Sequence, residues 1–90
     1  MARADDAALQ RLLPLLRQLR GLTGLREDKP GIFYFKGAAF VHFHEEDGVL
    51  RADLKQTSGT GFDHYLVDTP AGQRKLFDEA KRRLMRHDED

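Results

Sequence analysis

The histidines His42 and His44 have the clearest chemical potential in this chain of 90 residues. Residues two apart on a β-strand point to the same side, so both imidazoles would share one face of a sheet. His64 could join them from another strand, and Asp53 or Glu46 could add a carboxylate. Three neutral imidazoles can hold Zn²⁺ with one position open for water. Polar residues on the solvated face of a sheet are the commoner explanation of such alternation.

The same face offers side chains that could contact nucleic acid. Aromatic and basic groups on an open antiparallel sheet can stack on bases and touch phosphates. The candidates are Tyr34, Lys36, Phe40, His42 and Arg51. Residues 31–69 nevertheless contain three Lys or Arg against six Asp or Glu. Phosphate affinity comes mainly from positive charge, so the sequence argues against a nucleic-acid-binding module.

Association is a third use for this face. Phe40, together with Ile32, Tyr34 and Leu66, would leave apolar groups on the open side of the sheet. Contiguous apolar patches on small proteins often mark interfaces. The sequence thus predicts a homodimer that forms through the open face or through an edge strand. Long side chains such as Lys36 and Arg51 could instead cover the patch.

The elements that must position these residues follow from periodicity and turn signals. Apolar residues at steps of two predict four strands. Lys36-Gly37 and Asp47-Gly48 provide tight turns between them. Arg26 to Gly31 is predicted to be a polar connection that precedes the first strand. The predicted strands are Ile32–Phe35, Ala39–His44, Val49–Leu54 and Phe62–Val67.

Two helices flank the strands. Leucines at steps of three and four predict a helix before Gly21, and Thr69-Pro70 begins a second one. Pro14 either bends the first helix or is the first residue of a shorter helix over residues 14–20, and we favour a continuous, bent helix. The predicted fold class is α+β in the order α-β-β-β-β-α. Its four-stranded, mostly antiparallel sheet carries both helices on one face.

Alternation also predicts which side chains face the helices. The inward set is Phe33, Phe35, Val41, Phe43, Leu50, Ala52, Leu54, Tyr65 and Val67, although Phe62 and Leu66 argue for the other register of the last strand. The outward set is Tyr34, Lys36, Phe40, His42, His44, Arg51, Asp53 and His64. The chemistry above depends on this sidedness.

Composition limits the classes of protein that this chain can represent. With 15 basic and 15 acidic residues its formal charge is zero, and 90 residues form one domain, residues 1–90. The chain has no cysteine, which excludes disulfides and thiolate chemistry and fits the cytoplasm. No apolar run approaches the roughly 20 residues of a membrane helix, and the N-terminus does not look like a signal peptide.

The segment from Lys29 to His44, KPGIFYFKGAAFVHFH, resembles the hairpin of the small bacterial proteins of the MmcQ/YjbR-like type. In that family a helix leads into a strand, a Lys-Gly-x-x-Phe turn and a second apolar strand. The chain is shorter and lacks tryptophan, which marks one strand of the family. The resemblance implies a compact α/β domain, with suggested DNA binding and no established enzyme activity. It supplies no catalytic residues to carry over.

Taken together, the sequence favours a non-enzymatic interaction or binding domain of unknown function. The alternatives are a metal-binding protein or enzyme that uses His42, His44 and His64, and a nucleic-acid-binding module. No cofactor and no catalytic residue are predicted, because no acid, base and nucleophile converge. The candidate ligand-binding residues are Tyr34, Phe40, His42, His44, Arg51 and His64.

Overall fold

An antiparallel sheet forms the centre of the computed structural model, which describes residues 2–3 and 6–89, with side chains described for residues 6–86. Five strands lie in the order β2-β3-β4-β5-β6, and the two-residue strand β1 also pairs with β4. The strands are β1 (Ala2–Arg3), β2 (Leu25–Lys29), β3 (Ile32–Phe35), β4 (Ala38–Glu46), β5 (Val49–Lys55) and β6 (Phe62–Leu66). The predicted α+β class is confirmed.

The helices come from both ends of the chain: α1 (Asp6–Arg11), α2 (Leu13–Arg20) and α3 (Pro70–Glu89). The predicted continuous helix is wrong, since it is interrupted at Leu12 and Pro14 lies in the first turn of α2. Proline is tolerated there because the N–H it lacks would have no helical partner. Thr69 caps α3 as predicted, since its Oγ1 accepts a hydrogen bond from the Gly72 N–H at 3.0 Å. In the described part of the chain, no helix is both long and apolar enough to cross a membrane.

The predicted count of four strands is wrong because β2 was assigned to a polar connection. Among the described residues this edge strand pairs only with β3, and it alternates half-buried Leu25 and Glu27 with exposed Arg26 and Asp28. Glu27 accepts hydrogen bonds from the Arg20 side chain and from the Gly31 N–H, which is 2.9 Å away. Burial alone would raise the pKa of Glu27, but these two donors outweigh it and lower the pKa below 4.5. A carboxylate thus occupies a core-side position where the sequence pattern requires an apolar residue.

The predicted sidedness holds for most of the sheet. One core cluster combines side chains of the sheet with those of α2 and α3. Phe35 and Tyr65 are partly buried against this cluster, so β6 has the favoured register. The fully buried members of the predicted inward set are Phe33, Val41, Phe43, Leu50, Ala52, Leu54 and Val67.

Phe40 is the exception, and its predicted place on the open face is wrong. The register between β3 and β4 shifts after Phe33, so β4 contains one additional residue at this point. Phe40 and Val41 are consequently both buried in the core, and the Phe40 ring lies 6.1 Å from that of Phe35. A β-bulge of this kind bends the strand locally and re-aims a side chain.

Two tight hairpin turns set the register of the central strands. Both residues of Lys36-Gly37 and of Asp47-Gly48 have positive φ, as a two-residue hairpin turn of the primed type requires. The second turn pairs Glu46 with Val49, and by the same register His42 with Asp53 and His44 with Arg51. The turn chemistry therefore decides which polar residues meet on the open face.

Candidate metal centre

Asp53 occupies the middle of a row of three polar residues that crosses β4, β5 and β6. Its cross-strand partners are His42 on β4 and His64 on β6. His44 lies two residues along β4 from His42, so it reaches Asp53 diagonally. Side chains at directly opposed and diagonal positions of an antiparallel pair are close enough to interact. The sheet therefore gathers three imidazoles around one carboxylate, a group that we call the His–Asp cluster.

The two oxygens of Asp53 have different neighbours. His64 Nδ1 donates a hydrogen bond to Oδ1. His44 Nε2 lies 3.2 Å from Oδ2, and His42 Nδ1 lies 3.6 Å from the same oxygen. The longer distance exceeds that of a hydrogen bond, so His42 adjoins the cluster without bonding to the carboxylate.

Burial divides the cluster into an inner and an outer part. The side chains of His44 and Asp53 are 7% and 8% exposed, whereas those of His42 and His64 are 33% and 63% exposed. The expectation of an exposed His44 and Asp53 is therefore wrong, although both lie on the predicted side of the sheet. The phenyl ring of Phe62, 5.2 Å from the His42 ring, adds apolar surface beside the cluster.

His44 is unusual because both of its ring nitrogens are buried without a hydrogen-bond partner in the described part of the chain. An N–H placed on Nε2 would not point at Asp53, despite the short distance between their atoms. Buried polar atoms of proteins nearly always have a partner, so an orphaned one needs an explanation. A lone pair directed towards a cation would explain one of the two nitrogens.

The geometry of His44, Asp53 and His64 fits a metal ion. One nitrogen or oxygen atom from each residue lies within 4.8 Å of the others. Ligands about 2.0–2.2 Å from a tetrahedral Zn²⁺ are about 3.3–3.6 Å apart. The three ligand atoms therefore need to approach one another only slightly. His64 has the freedom to move because it is the most exposed member. Asp53, rather than the exposed Glu46, supplies the carboxylate of this set.

The electrostatics of the cluster favour the ionised form of Asp53, which is the form that binds a metal ion. Burial alone would raise the pKa of Asp53, but the hydrogen bond from His64 and the nearby His44 outweigh it and lower the pKa below 3.8. Burial lowers the pKa of His42 below 6.5, and the other two imidazoles add to this effect against the attraction of Asp53. At neutral pH the carboxylate is therefore ionised and the His42 imidazole is neutral.

Two clefts flank the cluster on the open face, each containing part of the predicted ligand-binding set. One, of about 330 Å³, is lined by Ile32, Tyr34, Ala39, His42, Phe43, His44 and Asp53. The other, of about 290 Å³, is lined by His44, Glu46, Arg51 and His64. Phe40 lines neither and belongs to the core. Sequence analysis left Ile32, Ala39 and Phe62 out of the site, although Phe62 alternates with His64 and so had to share its face.

Comparison with known proteins gives no match: no family model, curated protein or solved structure is significantly similar to this chain. The resemblance of residues 29–44 to the MmcQ/YjbR-like proteins therefore stays a prediction.

Proposed function

We propose that this domain binds a divalent transition-metal ion through His44, Asp53 and His64. The observation that carries the proposal is the buried His44 ring, whose nitrogens lack partners while one of them lies beside a carboxylate that also contacts His64. A chain with such a site is a binding domain, the class that the sequence favours. Of the two alternatives that the sequence leaves open, this site supports metal binding. Three protein ligands leave a position open for water or a further ligand.

The donor set indicates which ions compete for the site. Imidazole nitrogens suit Zn²⁺, Co²⁺, Ni²⁺ and Fe²⁺, whereas Mg²⁺ and Ca²⁺ prefer sites made entirely of oxygen. Two histidines and one carboxylate are also the ligands of many catalytic zinc and non-haem iron sites. We therefore propose Zn²⁺ or a neighbouring ion of the first transition series, and not an alkaline-earth ion.

Calorimetric titration of chelator-treated protein with Zn²⁺, Co²⁺ and Mg²⁺ tests the proposal. We expect one Zn²⁺ or Co²⁺ per chain and no binding of Mg²⁺. Asp53→Asn and His64→Gln should weaken Zn²⁺ binding at least tenfold, since each removes one ligand. Asp78→Asn is the matched control, because that carboxylate is exposed on α3, away from the cluster. Absence of Zn²⁺ binding, or equal binding by wild type and Asp53→Asn, would overturn the proposal.

Self-association is a second proposal, supported by the edge strand β6. Leu66 is 57% exposed on this strand, and the described residues place no further strand beyond it. An unpaired edge can add a strand from a second copy across a two-fold axis. We propose that the protein forms a homodimer through this edge or the open face. We also propose that it is cytoplasmic and does not bind nucleic acid. A sedimentation mass equal to one chain at high concentration would reject the dimer.

A further inference from the structure

Arg51 lies beside the His–Asp cluster, and one nitrogen of its guanidinium group lacks a hydrogen-bond partner among the described residues. Arg51 is the cross-strand partner of His44, so both side chains stand on the same face as neighbours. Its Nε is buried and has no hydrogen-bond partner in the described part of the chain. A buried charged donor without an acceptor is costly, which indicates that an acceptor is supplied from outside the fold.

The cleft that contains Arg51 connects this donor with the candidate metal ligands. Its walls are His44, Glu46, Arg51 and His64, and its volume of about 290 Å³ accommodates a small molecule. His44 and His64 are two of the three residues that would hold the metal ion. A ligand in this cleft can therefore reach the metal ion and Arg51 at the same time.

These neighbours select the chemistry of the ligand. A metal ion with an open position takes an anionic oxygen, and the planar guanidinium donates paired hydrogen bonds to a carboxylate or phosphate. Glu46 opposes an anion, but it is exposed and makes no ion pair with Arg51 among the described residues. The balance of charge with a divalent ion bound is positive.

We infer that the cleft between His64 and Arg51 binds a small oxyanion, a carboxylate or a phosphate, that coordinates the metal ion and pairs with the Arg51 guanidinium. This inference rests on the proposed metal site and names its ligand class. The metal ion contributes charge and a coordination position, whereas Arg51 fixes the orientation of the oxyanion.

Cobalt-loaded protein provides the test, because the visible absorption of Co²⁺ responds to its ligands. Inorganic phosphate and acetate are titrated separately, which distinguishes the two sources of oxyanion. We expect a saturable spectral change with at least one of them. Arg51→Gln should weaken that anion's binding about 10- to 100-fold, the effect of losing a charge-assisted hydrogen bond, while the protein still binds Co²⁺.

Three further variants sharpen the test. Arg51→Lys retains the positive charge but lacks the planar guanidinium group that donates paired hydrogen bonds, so it should recover only part of the anion affinity. Glu46→Gln should tighten anion binding, since it removes an opposing charge. Arg26→Gln is the matched control, because Arg26 is an exposed arginine on the distant strand β2 and should change nothing.

The outcomes separate this inference from the proposed function. If Co²⁺ produces no ligand-field bands in the wild-type protein, the metal site itself is wrong. If the bands form but neither anion changes them, the oxyanion site is wrong and the metal site stands. Equal anion affinity of wild type and Arg51→Gln also overturns the inference, because binding would then not involve Arg51.

Discussion

Replacing His44 with leucine should make the metal-free protein more stable. The imidazole is 7% exposed, and both of its nitrogens lack hydrogen-bond partners among the described residues. A neutral imidazole contains one donor and one acceptor, and each buried group without a partner costs about 1–3 kcal/mol. Leucine has a similar size and no polar atoms, so His44→Leu removes this cost.

The gain is reduced by the contact that His44 makes with Asp53. The 3.2 Å approach of His44 Nε2 to Asp53 Oδ2 offsets at most about 1 kcal/mol of this gain, because no hydrogen bond forms between the two atoms. Asp53 retains its hydrogen bond from His64 in the variant. The two unpartnered groups together cost about 2–6 kcal/mol, so the net effect is a stabilisation of at least about 1 kcal/mol, or a rise in Tm of at least about 4 °C for a domain of this size.

The assay is urea unfolding in chelator, repeated with Zn²⁺ present. Free Zn²⁺ at about 100 times its Kd stabilises the wild type by about 2.7 kcal/mol, and His44→Leu should gain nothing. The stability advantage of His44→Leu over wild type should therefore fall by about 2.7 kcal/mol when metal is added. His64→Leu is the contrasting variant, because it removes the hydrogen-bond donor of Asp53 and should destabilise the metal-free protein. A His44→Leu protein that is less stable than wild type in chelator would refute this reasoning and assign His44 a structural role.

Three other substitutions test the fold that supports the cluster, each by urea unfolding. Phe40→Ala should lower the free energy of unfolding by about 3–5 kcal/mol because Phe40 is fully buried. A loss below about 1 kcal/mol would indicate that Phe40 lies on the open face. Glu27→Gln should lower the free energy of unfolding by about 1 kcal/mol at neutral pH. This loss should shrink as the pH falls below 4.5 through the lowered pKa of Glu27, because the wild-type carboxylate then becomes protonated. A loss that does not depend on pH would contradict the contact between Glu27 and Arg20. Arg83→Met should cost about 2–3 kcal/mol, since the 12% exposed guanidinium joins α3 to the ends of β5 and β6, and an unchanged stability would refute that role.

Most of the fold could be predicted because local signals and tertiary packing agree. Alternation and two glycine turns located β3 to β5, and the pattern of leucines located α2. The strand β2 was missed because its core-facing Glu27 is satisfied by Arg20, a partner that alternation cannot reveal. The bulge at Phe40 follows from packing against Phe35, which sequence period alone does not encode.

The candidate site was predictable in outline and not in its centre. Alternation placed His42 and His44 on one face, and the Asp47-Gly48 turn already fixes the pairing of His42 with Asp53. Asp53 and Glu46 remained equal candidates for the carboxylate, because the register set by the Asp47-Gly48 turn was not extended along β4 and β5. The pairing of Asp53 with His64 depends on the long 56–61 connection, whose length does not set a register. Burial of the inner residues required the assembled sheet.

Long-range ¹H–¹⁵N NMR of the imidazoles, recorded before and after one equivalent of Zn²⁺, tests the metal site most directly. We expect one ring nitrogen of His44 and one of His64 to shift strongly as each becomes a ligand, while those of His42 shift little. Unchanged nitrogen shifts at His44 on addition of Zn²⁺ would mean that His44 is not a metal ligand.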